Sequence, residues 1–526
     1  MKRFHAVMVV VWMLLLVPRA PGESGRTASA RETIERLKAD VEFLSAPALD
    51  GRASLSRGSE IAARYLAAEF QKAGLAPGSG DSYGQEFFLM PLDPDPERTS
   101  IRILGKQGEN RYAPGSVLFP DRRRSISISS GVVFAGFGIT APELGYDDYA
   151  GLSAEGKIVL VFDHEPQEAD AASPFNGTGM TPYSSGWYKV WNAQKHGAAA
   201  LLLATEPVNS HRNAVREPGR AAAPAQALME GGLTIPRFSV PSAALEDLFA
   251  GSGRTAAGWQ EIIERSGKPA SRELPGISVK LEAVNRSPGE GRSWNVAGLL
   301  PGADRRLREE TVILCAHYDH LGIQDGNVYP GANDNGSGLA AMLEIARAFA
   351  RERRRPDRSI LFLAFGSEEQ AMLGSYYYIE HPLRPLPSTR AVFNLDMIGR
   401  NEEHTAESRG SLEISSDTSH EVNLVAAVFC PQLADLVNQA NRRVGMRILD
   451  KHDRDSSMRA LLRCDHLPFL YRNVPAIWIF GGFHPGYHTP LDTPDKIDYR
   501  KLQKITQLTF LSLAAAADRQ ENFSRR

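Results

Sequence analysis

Apolar residues in the second half of the chain fall into short unbroken runs separated by stretches with helical spacing. Runs without polar interruption predict strands covered on both faces, at 311–316, 359–365, 391–395 and 476–480. The stretches with helical periodicity predict helices at 338–351, 369–380, 432–444 and 501–517. This alternation of strand and helix predicts an α/β fold built on a doubly wound, mainly parallel sheet.

The first half of the chain has a different pattern. Helical spacing recurs at 31–44 and 59–73, and 85–92 predicts a strand with 101–104 as its partner. From Tyr112 onwards, short strands separated by glycines predict a smaller β-rich α/β module, with strands at 131–138, 157–162, 198–203 and 237–240. The segments 277–284 and 294–300 predict a hairpin that leads back to the alternating part.

Length and charge narrow the class of protein. A chain of 526 residues is too long for one ordinary core, so we expect one α/β domain in two parts, 31–111 and 269–526, with the module 112–268 inserted between them. The formal net charge is -2 and charged residues make up 23% of the chain. Because there is no basic excess, a nucleic-acid partner is not expected.

The first residues resemble a secretory signal. Lys2 and Arg3 precede an apolar run at 6–17, so we interpret 1–22 as a signal peptide and expect export to the periplasm or the medium. The run is shorter than the about 20 apolar residues of a membrane span, although an uncleaved anchor stays open as the alternative. Since the chain has only 3 cysteines, a disulfide framework does not organise the fold.

Polar residues recur where the predicted strands end. They are His317 and Asp319, Glu368 and Glu369, Asp396, and His484 and His488, and the glycine-rich loop before 338 adds Asp334. The carboxyl ends of such strands meet at one edge of a sheet, where ligands bind. Each residue alone is typical of a helix cap or a solvated loop, and only their joint placement favours a site.

Two imidazoles and several carboxylates form a ligand set that suits zinc. Two ions that share one carboxylate, with two further ligands each, need five residues, and the sequence offers His317, Asp334, Glu369, Asp396 and His488. Glu368 is then left over, next to a ligand, as a candidate general base. Asp319 is predicted to accept a hydrogen bond from the second ring nitrogen of His317, and Asp492 is a weaker candidate of the same kind.

Several strings of residues resemble one known family. AHYDHLG, GANDNGSG, FGSEEQAMLGS, FNLDMIGR, CDHLPF and HPGYHTPLDTPDKI are similar to motifs of the di-zinc exopeptidases. That family includes secreted bacterial aminopeptidases, glutamate carboxypeptidase and the non-catalytic transferrin receptor. The stretch from Tyr112 to Lys268, with KIVLV and KHGAAALLL, resembles the protease-associated domain that is often inserted in this family.

The resemblance implies a zinc-exopeptidase-like fold, two Zn²⁺ ions per chain and a division of the ligands. Asp334 would bridge the ions, with Glu369 and His488 completing one site and His317 and Asp396 the other. Glu368 would take a proton from the attacking water and pass it to the leaving amine.

A further residue, His466 of the string CDH, falls where relatives carry Tyr or His near the reacting carbonyl. It would help to stabilise the oxyanion, and a structural hydrogen bond is the alternative. The sequence departs from the family pattern at Cys464, where Ser is more usual, and at Asn333, where many relatives have Asp. Neither change removes a ligand.

These observations favour an exported zinc metallopeptidase, mainly interpreted as an aminopeptidase acting on peptides. A carboxypeptidase of the glutamate type is an alternative, and it would need a cation such as Arg400 or Arg463 for the terminal carboxylate of its substrate. A glutaminyl cyclase-like enzyme would hold one zinc ion. A non-catalytic, receptor-like protein is disfavoured because every ligand and the base are present.

Overall fold

The computed structural model describes residues 29–106, 108–208, 222–406, 408 and 412–524. The predicted signal peptide, 1–22, lies outside the described residues. Among the helices that are described, none combines the length and apolarity needed to cross a bilayer.

A ten-stranded mixed sheet forms the centre of the molecule. Along its main path the strands follow the spatial order Gln226–Leu228, Gly84–Pro91, Gly291–Leu300, Ser359–Phe365, Thr311–His317, Thr389–Asp396, Ala476–Phe480, Glu421–Val425 and Arg447–Leu449, and Ala76–Pro77 pairs with Gly291–Leu300. The four central strands of this order are parallel, whereas both flanks bring antiparallel pairs. The predicted α/β class is confirmed, in the form of a mixed sheet with a parallel centre.

Three of the four central strands are buried throughout, as their uninterrupted apolar runs predict, and in the fourth, Thr389–Asp396, only Arg390 is half-buried. Helices pack on this sheet and on the second sheet described below, and those described are Ala30–Leu44, Arg57–Lys72, Gly186–Lys195, Leu245–Phe249, Ala256–Ser266, Gly338–Arg351, Leu373–Glu380, Pro431–Asn441, Lys451–Arg454, His466–Tyr471 and Tyr499–Asp518. Because the central strands run parallel, their carboxyl ends lie at one edge of the sheet.

A second sheet has eight strands and its own apolar cluster. Its spatial order is Gly108–Tyr112, Ser100–Gly105, Arg272–Val284, Ser125–Phe134, Ile158–Phe162, Ala200–Ala204, Arg237–Val240 and Val117–Leu118. The sheet therefore extends beyond 112–268 at both ends, and Gln226–Leu228 from within that range pairs with the main sheet instead.

Two predicted strand pairings are wrong. Gly84–Pro91 and Ser100–Gly105 do not pair, because the first belongs to the main sheet and the second to the other. For the same reason Arg272–Val284 and Gly291–Leu300 do not form a hairpin. Between the two strands of each predicted pair, the chain crosses from one sheet to the other. The periodicity of apolar residues within a strand does not indicate which strand it pairs with.

Arg52 connects the first part of the chain to the loop that follows the central strand. It is fully buried, and its Nε donates to the carbonyl oxygen of Tyr318 at 2.9 Å. Its terminal nitrogens donate to the carbonyl oxygens of Pro330 at 2.7 Å and Gly331 at 3.0 Å, and also to that of Leu44. One guanidinium thus holds both ends of the 318–331 loop against the first helix.

Replacing Arg52 with alanine should lower the free energy of unfolding by at least about 3 kcal/mol, because a hydrogen bond to a charged group contributes about 1.5–3 kcal/mol and four buried carbonyls lose theirs. Urea unfolding followed by circular dichroism measures this change. Arg57→Ala, at an exposed position five residues later, is the matched control and should change the free energy by less than about 0.5 kcal/mol. Equal losses in both variants would contradict the role of Arg52.

Candidate metal centre

His317 is the last residue of the central strand Thr311–His317 and is buried. Its Nδ1 lies 3.1 Å from the backbone carbonyl oxygen of Asp319, whereas the nearest carboxylate oxygen of Asp319 is 3.9 Å away. Because the ring donates from Nδ1 to this carbonyl, Nε2 is left to face the site. The predicted hydrogen bond to the Asp319 carboxylate is therefore wrong, since the backbone of the same residue takes its place.

The carboxylate of Asp319 instead holds the backbone that follows the neighbouring strand, Ser359–Phe365. It accepts hydrogen bonds from the backbone N–H groups of Glu368 at 2.9 Å and Glu369 at 3.3 Å. These two residues lie in an irregular turn in which Ala371 and Met372 have φ of 68° and 62°. The helix predicted from 369 consequently begins only at Leu373–Glu380, and the turn aims both carboxylates at the site.

Asp334 lies between two imidazoles. Its Oδ1 is 3.2 Å from Nε2 of His317, and its Oδ2 is 3.1 Å from Nε2 of His488. Its backbone N–H donates to the Asp492 carboxylate at 3.0 Å, so Asp492 fixes the backbone of Asp334. Burial alone would raise the pKa of Asp334, but its contacts with the two histidines lower that pKa well below its usual range.

Glu369 faces two histidines, one of which the sequence analysis did not single out. Its Oε2 is 3.1 Å from Nε2 of His488, and its Oε1 is 2.7 Å from Nδ1 of His320. His320 is fully buried and belongs to the string AHYDH, three residues after His317. Since His320 Nδ1 is already engaged with Glu369 and lies 3.8 Å from Asp334 Oδ2, His488 is the better candidate to share a cation with these two carboxylates.

The geometry of these groups fits a pair of cations. Ligand atoms of His317, Asp334 and Asp396 lie within 4.8 Å of one another, and so do those of His320, Asp334 and Glu369. His317 Nε2 and Asp396 Oδ1 are 3.4 Å apart, yet within the described part of the chain neither makes a hydrogen bond. Buried acceptor atoms that face each other in this way match the donor set of zinc.

Glu368 lies beside this group, with Oε2 3.9 Å from Nε2 of His317. Its side chain is only 9% exposed. Burial raises the pKa of Glu368 well above its usual range, and the neighbouring carboxylates of Asp465, Glu369 and Asp396 raise it further, against the opposing effect of His317. A carboxylate with an elevated proton affinity next to a candidate ligand suits a group that takes up a proton.

Negative charge dominates the surroundings of the centre. The carboxyl groups in it are Asp319, Asp334, Glu368, Glu369, Asp396, Asp465 and Asp492, all buried or nearly so. Burial lowers the pKa of the Arg52 guanidinium to about 10, although several of these carboxylates raise it. Arg52 therefore stays cationic at neutral pH. Against the effect of burial, the carboxylates also raise the pKa of His488 to about 10 and that of His317 well above its usual range. A divalent cation would take the place of the protons on these imidazoles.

His466 begins the helix His466–Tyr471 and is fully buried. Its ring lies 5.9 Å from that of Trp478, and among the residues the structure describes neither ring nitrogen has a hydrogen-bond partner. Burial lowers its pKa to about 3, so the ring is neutral. A structural hydrogen bond, the alternative to a role at the oxyanion, is not found within the described chain.

Asn333, where many relatives carry Asp, is held by neighbouring groups. Its Oδ1 accepts from the backbone N–H of Gly399 at 2.7 Å, and its Nδ2 lies 3.0 Å from Nε2 of His484. His484, which follows the same strand end as His488, is therefore 3.0 Å from an amide rather than from a carboxylate.

Comparison with known proteins identifies relatives of the part that contains this centre. Residues 295–512 match the model of Peptidase family M28. Aminopeptidase YwaD of Bacillus subtilis (strain 168) is 31% identical over 267 residues, covering 49% of this chain and 51% of that protein. A probable zinc metalloprotease of Pyrenophora tritici-repentis is 32% identical over 149 residues, covering 28% and 29%. The matched region thus spans about half of these curated relatives or less.

Solved structures also resemble the chain. The aminopeptidase from Aneurinibacillus sp. strain AM-1 aligns over 94% of this chain and 96% of its own, with 19% identity and a TM-score of 0.47. The zinc aminopeptidase BSAP from Bacillus subtilis aligns over 93% and 95%, with 18% identity and a TM-score of 0.44.

Proposed function

We propose, from the premise that residues 295–512 belong to peptidase family M28, that this protein is an exported aminopeptidase that uses two zinc ions. It would release amino-terminal residues from peptides. The observation that carries the proposal is the position of Asp334, whose two oxygens face His317 and His488 at 3.2 and 3.1 Å. A carboxylate in this position can bridge two cations.

The remaining candidate ligands complete two sets around this bridge. His317 and Asp396 would hold one ion, and His488 and Glu369 the other. When bound, the ions would polarise the scissile carbonyl and make a water molecule more acidic. The fit of buried, facing acceptor atoms supports this assignment.

Glu368 would be the general base. Its position beside the candidate ligands, with Oε2 3.9 Å from Nε2 of His317, would allow it to take a proton from the attacking water and then deliver that proton to the leaving amine. Asp319 would keep Glu368 in place, because its carboxylate accepts the Glu368 backbone N–H at 2.9 Å. The irregular turn that contains Glu368 would thus fix the position from which its carboxylate exchanges the proton.

The surroundings of two arginines favour an aminopeptidase over a carboxypeptidase. A carboxypeptidase would need a cationic side chain to pair with the terminal carboxylate of its substrate. The two cationic candidates for binding a carboxylate have other neighbours. Arg400 is 13% exposed and lies 3.9 Å from Glu403, and Arg463 lies over the ring of Phe483 at 5.3 Å.

Reporter peptides test the proposal. The purified protein should hydrolyse amino-acyl p-nitroanilides, because the base and the ligands act together on a bound peptide. It should lose this activity with the chelator 1,10-phenanthroline, which removes zinc, and regain it with Zn²⁺. The matched N-acetylated reporter should not be hydrolysed, since it lacks the ammonium group. Equal turnover of the acetylated reporter, preference for a carboxyl-terminal reporter or insensitivity to the chelator would contradict the proposal.

A further inference from the structure

A line of hydrogen bonds leads from the core of the sheet to the candidate ligand Asp396. The Sγ of Cys315 lies 3.2 Å from Oδ1 of Asn394, Nδ2 of Asn394 lies 2.8 Å from Sγ of Cys464, and Sγ of Cys464 lies 2.9 Å from Oδ2 of Asp396. All four residues are buried. They come from two neighbouring strands and from the segment before the helix His466–Tyr471, so the line joins three parts of the chain.

Chemistry fixes the direction of these bonds. A carboxylate can only accept, so the single S–H of Cys464 points at Asp396. The sulfur of Cys464 must then accept from the amide nitrogen of Asn394, and the amide oxygen of Asn394 is left as an acceptor. It is the nearer acceptor for the S–H of Cys315, at 3.2 Å against 3.7 Å for the carbonyl oxygen of Phe393. Every donor in the line therefore points towards the carboxylate.

The far oxygen of the same carboxylate is the one that faces the centre. Oδ1 of Asp396 is 3.4 Å from Nε2 of His317 and makes no hydrogen bond within the described chain. Because Cys464 holds Oδ2, the carboxylate cannot rotate freely, and Oδ1 stays directed at His317. Groups that hydrogen-bond to a metal ligand in this way preserve its orientation.

We propose that Cys464 is a positioning residue for Asp396, and that Asn394 and Cys315 orient Cys464 in turn. The proposal rests on the proposed function, since it assumes that Asp396 holds zinc. It assigns a role to the residue at which the sequence departs from the more usual Ser. A hydroxyl could make the same two hydrogen bonds, and this makes Cys464→Ser the conservative variant.

Cys430 provides a matched control. It is as fully buried as Cys464, but its sulfur lies 3.5 Å from the carbonyl oxygen of Ala476 and takes no part in the line. Replacing either cysteine with alanine removes the same volume from the core. Only the replacement of Cys464 removes a donor to a candidate ligand.

The experiment measures zinc affinity by competition with a chromogenic chelator, using the full chain as wild type, Cys464→Ala, Cys464→Ser and Cys430→Ala. In Cys464→Ala, one of the two zinc ions should bind about 10- to 100-fold more weakly. Cys464→Ser and Cys430→Ala should both bind zinc like the wild type. The d–d absorption of the Co²⁺-loaded protein should change in Cys464→Ala and remain the same in the other two.

Unchanged zinc affinity and Co²⁺ spectrum in Cys464→Ala would overturn the proposal, and so would equal losses in Cys464→Ala and Cys430→Ala, which would indicate packing alone. If Cys464→Ala does not fold, the zinc affinity of Cys464→Ser becomes the test of the proposal. Wild-type affinity in this variant supports the proposal, and a loss of about tenfold or more overturns it. A wild-type protein that binds no zinc would contradict the proposed function itself.

Discussion

Replacing Glu368 with alanine should reduce kcat for an amino-acyl reporter by about 100- to 10,000-fold while zinc remains bound, because general acid–base catalysis contributes a factor of this size. Glu368 lies beside the candidate ligands but is not one of them, and its backbone N–H is held by Asp319. Its removal should therefore leave the ligand geometry intact. Steady-state kinetics and metal analysis of the same preparation measure both quantities.

Two variants sharpen this experiment. Glu309→Ala, at a side chain that is 72% exposed, should keep full activity and serves as the matched control. Glu368→Gln preserves the size of the side chain and removes the proton acceptor, so it should be as inactive as Glu368→Ala. Turnover near the wild-type rate in either Glu368 variant would exclude Glu368 as the base, and loss of zinc would mean that it acts as a ligand.

Replacing Asp334 with asparagine should remove both zinc ions, whereas Asp396→Asn should remove only one. The reason is geometric, since the oxygens of Asp334 face both His317 and His488, whereas Asp396 faces the first of these two histidines. An amide keeps one acceptor oxygen and loses the charge, so neither site would retain a complete set of ligands. Zinc content after dialysis, measured by mass spectrometry, distinguishes the two variants.

Asp435→Asn is the control for this pair, because Asp435 is exposed on the helix Pro431–Asn441. It should retain the zinc content and activity of the wild type. If Asp334→Asn lost only one ion, Asp334 would not be the bridge. If Asp396→Asn lost both, the two sites would not be separable in the way proposed.

The sequence predicted the central part of the fold because burial on both faces leaves a clear pattern. The runs that end at Ala316, Phe365, Leu395 and Phe480 all become neighbouring parallel strands, and the residues after them meet at one edge. The pairing of the flanking strands could not be predicted in this way. A strand such as Ser100–Gly105 has the same periodicity whichever sheet it joins.

The sequence predicted which side chains lie close together in the candidate centre, but it did not predict which backbone groups hold them. His317, Asp334, Glu369, Asp396 and His488 are brought together, but the partner of the His317 ring is a carbonyl, which has no signature in the sequence. His320 was overlooked although its string contains two histidines. Arg52 lies in a turn-rich stretch without periodicity, and its role depends on carbonyl groups almost 300 residues away.

That separation bears on when the centre can form during synthesis. Arg52 holds Pro330 and Gly331 across 278 and 279 positions of sequence, and Asp334 lies 3.1 Å from His488, a residue much later in the chain. Contacts so distant in sequence form late in folding. A growing chain on the ribosome therefore lacks part of the candidate centre until His488 has been synthesised, so a fragment released before that point would not contain the complete set of candidate ligands.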